Sequence, residues 1–212
     1  MGEKEVLEAL KNAVINQDEE GALKAAKDAV AQNLDAMKCI DSGLAEGMKV
    51  ISDQFDKAEV FVPQIVISAD AFMGAVEILK PLLKGGYKAK GTAIIHTVEG
   101  DIHDIGKSIL GILLTASGFE VTDLGRDVPV EHVCDVAEEM KIDIITGSSL
   151  MSTSMPSQKE IINALKERGV RDKFKVFFGG APTNEEWVKS IGGDGWAENA
   201  PAGVAMISKA MG

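Results

Sequence analysis

Asp101 and His103 stand two residues apart in the run Glu99-Gly100-Asp101-Ile102-His103-Asp104-Ile105-Gly106, just after an apolar stretch ending His96-Thr97-Val98. A neutral imidazole binds a metal through one ring nitrogen, and a carboxylate on the other nitrogen fixes its tautomer and basicity. On a glycine-punctuated loop between a strand and a helix, His103 and Asp101 are placed to be that ligand and that partner. The chain holds only three histidines, so His103 carries much of the functional question. The plainer reading of the same residues is a loop histidine that bonds Asp101 and meets no metal. His96 reads as a partly buried strand residue and His132 as a solvated helix residue, neither with a ligand set around it.

Two more segments are unusual in composition. Gly147-Ser148-Ser149-Leu150-Met151-Ser152-Thr153-Ser154-Met155 is rich in hydroxyls, and in Gly179-Gly180-Ala181-Pro182 the missing side chains let another molecule approach the backbone. The elements between these segments decide whether they meet. From Thr92 onward, apolar runs of strand length alternate with helical patterns. Strands are expected at Thr92–Thr97, Glu120–Leu124, Ile142–Thr146, Lys175–Phe178 and, weakly, Gly195-Trp196. Helices are expected at Ile105–Ser117, Val130–Met140, Ser157–Arg168, Asn184–Ile191 and Pro201–Met211. Alternation of this kind implies a five-stranded parallel sheet covered on both faces, a flavodoxin-like (Rossmann-like) α/β domain. With the strand order 2-1-3-4-5, the crevice for ligands lies beyond the carboxyl ends of the first and third strands, and all three special loops face it. Ser152 and Thr153 also suit a plain capping role before the next helix, and Gly179-Gly180 a plain turn.

Residues 1–84 follow a different period and read as a four-helix bundle. Val6, Leu10 and Val14 form one stripe. Asp18 can cap a helix carrying Leu23, Ala26 and Val30. Asp35 can cap a third, with Met37, Ile40, Leu44, Met48, Ile51 and Phe55 at steps of three and four. Pro63 suits the first turn of a fourth helix with Ile65, Phe72, Val76, Leu79 and Leu83. Residues 85–91, Gly-Gly-Tyr-Lys-Ala-Lys-Gly, break the pattern as a linker, leaving 92–212 for the α/β domain.

A net charge of −11 disfavours nucleic-acid backbones and anionic membranes. No apolar run is expected to reach the length of a membrane span, and Cys39 and Cys134 lack metal-type spacing. A cytoplasmic protein with reduced thiols, no membrane and no nucleic-acid partner is expected.

Asp-x-His-x-x-Gly, followed by Ser-x-Leu and then Gly-Gly on successive strand loops, resembles the cobalamin-binding domain of corrinoid methyl carriers. The helical half, with Gly47-Met48 and Phe61-Val62-Pro63-Gln64, resembles their four-helix cap, so the likeness spans nearly the whole chain. Within those carriers, 99–106, 150–155 and 179–182 look most like the corrinoid proteins of methylamine and methylated-quaternary-amine methyltransferase systems. The resemblance implies cobalamin as cofactor, bound with its own base off the cobalt. His103 would be the axial ligand, Asp101 its hydrogen-bond partner and Ser154 the extension of that relay. Asp104, Gly106, Ser148, Leu150, Gly179 and Gly180 would line the cofactor site, with Ser152 a further corrin contact. Met48, Phe55, Phe61, Gln64 and Met73 would face the upper side as the cap, with the linker as hinge. It implies a carrier subunit rather than a complete enzyme. Cobalt(I) would take a methyl group from a methylated amine through a methylamine- or betaine-type methyltransferase. As methyl-cobalt(III) it would hand the methyl to a second methyltransferase serving coenzyme M or tetrahydrofolate, with a reductive activation protein as a further partner. The alternatives are a subunit of an adenosylcobalamin-dependent mutase, which would need a substrate barrel in place of the helical half, and a cobalamin-based sensor, which would need a DNA-reading module.

Overall fold

In the second half of the chain, strands and helices alternate as their sequence periods require. A computed structural model describes residues 2–83 and 89–212. Residues 85–88 of the expected linker therefore lie outside the described residues. The chain divides into two units, 1–88 and 89–212.

The second unit runs β1 (Thr92–Thr97), α6 (Ile105–Ala116), β2 (Glu120–Asp123), α7 (Val130–Glu139), β3 (Ile144–Ser148), α8 (Met155–Glu167), β4 (Lys175–Gly179), α9 (Glu185–Ile191), β5 (Gly195–Ala197) and α10 (Ala200–Met211). Its five strands are all parallel, in the order β2-β1-β3-β4-β5. Alternate residues along each strand serve opposite faces. Ile94, Ile145, Val176 and Phe178 pack with Val133, Ile161, Ile162 and Leu165 of α7 and α8. Ala93, Ile95, Ile144 and Phe177 pack with Leu114 of α6 and Ile207 of α10. Burying each such side chain contributes roughly 1.5–3 kcal/mol relative to exposure. The third strand lies two residues later than the sequence pattern suggested. Ile142 is buried but unpaired in the ladder, while Gly147 and Ser148 pair with His96 and Thr97. An apolar run marks burial; pairing is set by the neighbouring strand.

The first unit contains α1 (Glu3–Ile15), α2 (Glu19–Ala31), α3 (Ala36–Cys39), α4 (Glu46–Asp56) and α5 (Val62–Leu79). Asp18 caps α2 by accepting from Gly21 N–H at 2.9 Å, and Asp35 caps α3 by accepting from Lys38 N–H at 3.0 Å. The expected third helix is interrupted: a π-helical turn at Ile40–Ala45 joins α3 to α4. The wider turn still keeps Ile40, Leu44, Met48 and Ile51 buried, whereas Met37 is exposed. Gly47 has a packing reason, since a Cβ there would lie 2.8 Å from the Lys11 carbonyl oxygen on α1.

The stretch Val62–Leu82 is long and apolar enough to cross a membrane, with a mean hydropathy of 1.5, which corrects the expectation that no such run exists. It forms the core helix of the bundle. Ile65, Phe72, Val76 and Leu79 are buried, and the Ser68 hydroxyl donates to the Val14 carbonyl at 2.8 Å. Both cysteines, Cys39 and Cys134, are buried free thiols.

Candidate functional site

The order of the sheet reverses between β1 and β3, and register aligns Thr97, Ser148 and Gly179 side by side where β1, β3 and β4 end. The loops leaving these three ends therefore converge. The β1 loop turns at Gly100, whose φ of +83° is a glycine conformation, and it is pinned from the other side by Asp127. Asp127 accepts from Gly100 N–H at 2.7 Å and donates its own N–H to the Asp101 carbonyl at 2.9 Å.

Asp101 is fully buried at the centre of this convergence. Its Oδ1 receives the His103 backbone N–H at 3.0 Å and lies 2.7 Å from His103 Nδ1. Its Oδ2 receives Leu150 N–H at 2.6 Å, Met151 N–H at 3.3 Å and the Ser154 hydroxyl at 2.8 Å. Burial by itself would push the Asp101 carboxyl up. The donors from His103, Leu150 and Ser154 outweigh it and hold the group well below the usual carboxylate range. A carboxylate so held keeps Nδ1 as the protonated nitrogen of His103 and leaves Nε2 as the nitrogen available to a metal. Ser149, also buried, lies 2.8 Å from Ser154 Oγ and donates to the Met151 carbonyl at 3.0 Å, or passes that proton to Ser154. From its type and position Ser149 reads only as a loop hydroxyl; the closeness of the two side chains makes it part of the network.

His103 is about half exposed, at 47%. Around it Ile102, Ile105 and Leu150 are also exposed, an apolar rim where polar residues would be the rule for loops. Beside this rim opens a cavity of about 530 Å³, lined by His103, Asp104, Gly106, Leu110, Ser148, Phe177 and Gly179 among others. A Cβ at Gly106 would meet nothing within 4 Å, so that glycine keeps space open. Gly180 has a different reason. With φ +119°, a Cβ there would fall 1.7 Å from the Ser149 carbonyl oxygen, so the glycine lets β4's loop pack on β3's. Among the described residues no three His, Cys, Asp or Glu side chains converge as a metal cluster. One imidazole on an apolar rim above a cavity fits a metal that arrives in its own macrocycle and brings an appendage.

The remaining expected residues are spread more widely. Asp104 occupies the N-cap position of α6 without a side-chain cap bond. Ser152 is exposed and takes no part in the Asp101 network. In the helical unit, Met48 is buried in the bundle rather than presented at its surface, Phe55 and Met73 are half-buried, and Phe61 is 64% exposed. Gln64 caps α5 by accepting from the Phe61 backbone N–H at 2.8 Å.

Residues 91–205 match a family described as a B12 binding domain, and residues 6–80 match a second family of the same description. The chain is 42% identical to dimethylamine corrinoid protein 1 of Methanosarcina acetivorans, with 100% of each chain covered. It is 41% identical to a corrinoid protein of Desulfitobacterium hafniense, with 98% of each covered. Among solved structures it is similar to the methanol:cobalamin methyltransferase complex of Methanosarcina barkeri, with a TM-score of 0.85 and 32% identity over 99% of this chain and 81% of that one.

Proposed function

The chain belongs to the B12-binding corrinoid proteins, and from that premise we propose that His103 holds the cobalt of cobalamin from below while the cofactor's displaced base enters the sheet. It is a methyl-carrying corrinoid protein with cobalamin as its cofactor. When bound, the cobalt supplies a centre that accepts a methyl group and later releases it.

The chain's own residues do the rest. Asp101 fixes the His103 tautomer so that Nε2 is the donor, and its hydrogen-bond acceptance makes the imidazole a stronger one. Ser154 and Ser149 extend the network inward and would serve the Asp101–His103 pair as a relay if a proton has to be exchanged when cobalamin is bound. Ile102, Ile105 and Leu150 offer the flat ring an apolar seat, and Ser148, Gly106 and Gly179 line the space for the nucleotide tail. The observation that carries this reading is the conjunction of a histidine fixed at 2.7 Å from a buried carboxylate with a cavity opening beside it.

In the helical unit Phe61 is the foremost candidate for covering the upper face, being a large exposed apolar residue at the start of α5; Phe55, Gln64 and Met73 are its companions. Met48, expected among them, is buried in the bundle. The methyl donor is a methylated amine, delivered by a partner methyltransferase of the methylamine or betaine type. Its further partners would be a second methyltransferase serving coenzyme M or tetrahydrofolate and a reductive activation protein. The setting is the cytoplasm, where two buried free thiols stay reduced.

The test is reconstitution with cobalamin, followed by absorption spectroscopy. The wild type is expected to give the base-off, histidine-on spectrum, and His103→Ala to lose it. Identical spectra and affinities for the two proteins would refute the proposal.

A further inference from the structure

His96 is fully buried at the end of β1, and neither of its ring nitrogens has a hydrogen-bond partner in the protein. Burial lowers its pKa to about 4, which a looser approach of the Thr146 backbone, outside hydrogen-bond geometry, offsets only in part, so the ring is neutral, with one N–H to donate and one lone pair to accept. Leaving both unpaired inside a protein is costly, and such groups are rare in native structures. The polar groups nearby are committed elsewhere. Lys107 Nζ is held by Asp123 at 2.6 Å, and the Thr146 hydroxyl donates to the Ile94 carbonyl at 3.1 Å. Gln158 donates to the Gly147 and Gly179 carbonyls and accepts from the Trp187 indole. Yet His96 lines the cavity. Room is made for its ring: a Cβ on its ladder neighbour Gly147 would sit 3.1 Å from His96 Cε1.

We propose that His96 is a recognition residue for the nucleotide tail of the corrinoid, donating its ring N–H to an acceptor on that tail. The proposal rests on the corrinoid reading above. It assigns a polar contact of the cavity to a residue that sequence patterning treats as a plain strand position. The acceptor is either a nitrogen of the displaced base or an oxygen of the ribose phosphate that carries it.

The test compares ligands as well as variants. Apoprotein is titrated with cobalamin, with cobinamide, which lacks the tail, and with a cobamide whose lower ligand is a phenol and so offers ribose phosphate without a base nitrogen. His96→Leu, checked by circular dichroism to be folded, is expected to bind cobalamin about ten-fold more weakly than wild type and cobinamide equally well. His96→Gln, which keeps a donor, is expected to recover part of the difference. A loss confined to cobalamin assigns the base nitrogen, and an equal loss with the phenolic cobamide assigns the ribose phosphate; either supports the proposal. Unchanged cobalamin affinity, or an equal loss for cobinamide, overturns it. The His103→Ala spectrum distinguishes the two failures: if His103 behaves as expected and His96→Leu does not, only the present inference falls.

Discussion

The helical unit closes its interior, whereas the α/β unit leaves part of its interior open. In the bundle, Ala22, Ala25, Ala26 and Ala29 of α2 and the glycines at 43 and 47 let helices approach closely, and Ser68 is the one buried polar side chain there among the described residues. In the α/β unit, His96, Thr97, Asp101, Lys107, Thr146, Ser149, Ser154, Gln158 and Thr183 are all buried, and a cavity of about 530 Å³ opens at one end of the sheet. Burying polar groups costs stability unless each finds a partner. A unit that buries so many beside a void is organised around something it binds, and a unit whose buried side chains are almost all apolar is organised around its own fold. Substitutions should therefore have different signatures in the two halves.

Gly180→Ala should have the largest effect. Its Cβ would meet the Ser149 carbonyl at 1.7 Å in a backbone conformation that only glycine adopts readily. A loss above about 4 kcal/mol is expected in urea unfolding, together with loss of the corrinoid spectrum. Phe72→Ala should cost about 3–4 kcal/mol through a cavity in the helical unit, while reconstituted protein keeps its corrinoid spectrum. If Phe72→Ala abolished that spectrum, the separation of roles between the two units would be wrong.

A third effect belongs to pH. The His96 pKa is depressed to about 4 in the folded protein, against about 6.5 for an unperturbed imidazole. The unfolded chain therefore binds the extra proton between these values. Stability is complete above pH 6.5 and falls as the pH drops towards 4, by about 3 kcal/mol in all. Urea titrations of apoprotein across this window should show a slope that His96→Leu flattens; the same slope in both proteins would mean that the ring is not isolated as described. The smallest effect is expected for Asp18→Ala, which removes the cap of α2 and should cost about 1 kcal/mol in thermal unfolding without touching the corrinoid site.

Much of the fold was legible because its signals are local. The switch from a helical to an alternating strand-helix period after Thr92 implied the parallel sheet, and the strand order supposed for such a sheet is the one it has. Asp18, Asp35 and Pro63 marked helix starts by side-chain chemistry that acts within a single turn. The π turn at Ile40–Ala45 was not legible, because steps of three and four fit a continuous helix equally well and only packing against α1 favours the wider turn. The two-residue shift of β3 has the same origin: register against β1 lies outside the strand's own sequence.

At the site, residue types pointed to Asp101 and His103 because a short motif can be read directly, and the resemblance to corrinoid methyl carriers picked Ser154 out of the hydroxyl-rich loop. Ser149 and Asp127 could not be singled out, since their roles come from contacts across loops far apart in sequence. Gly180 shows a subtler limit. Its position was readable, but a collision with the Ser149 backbone, and not space for a ligand, is what demands glycine there.

The central claim concerns which nitrogen meets the cobalt. It is tested most directly by electron paramagnetic resonance of the cobalt(II) form, with unlabelled cobalamin bound to protein made with 15N-histidine. A protein imidazole as axial ligand predicts doublet superhyperfine splitting in the labelled protein, which becomes a triplet in unlabelled protein and disappears in His103→Ala. A triplet that persists in the labelled protein would mean that the cofactor's own base still holds the metal, and the account would fail.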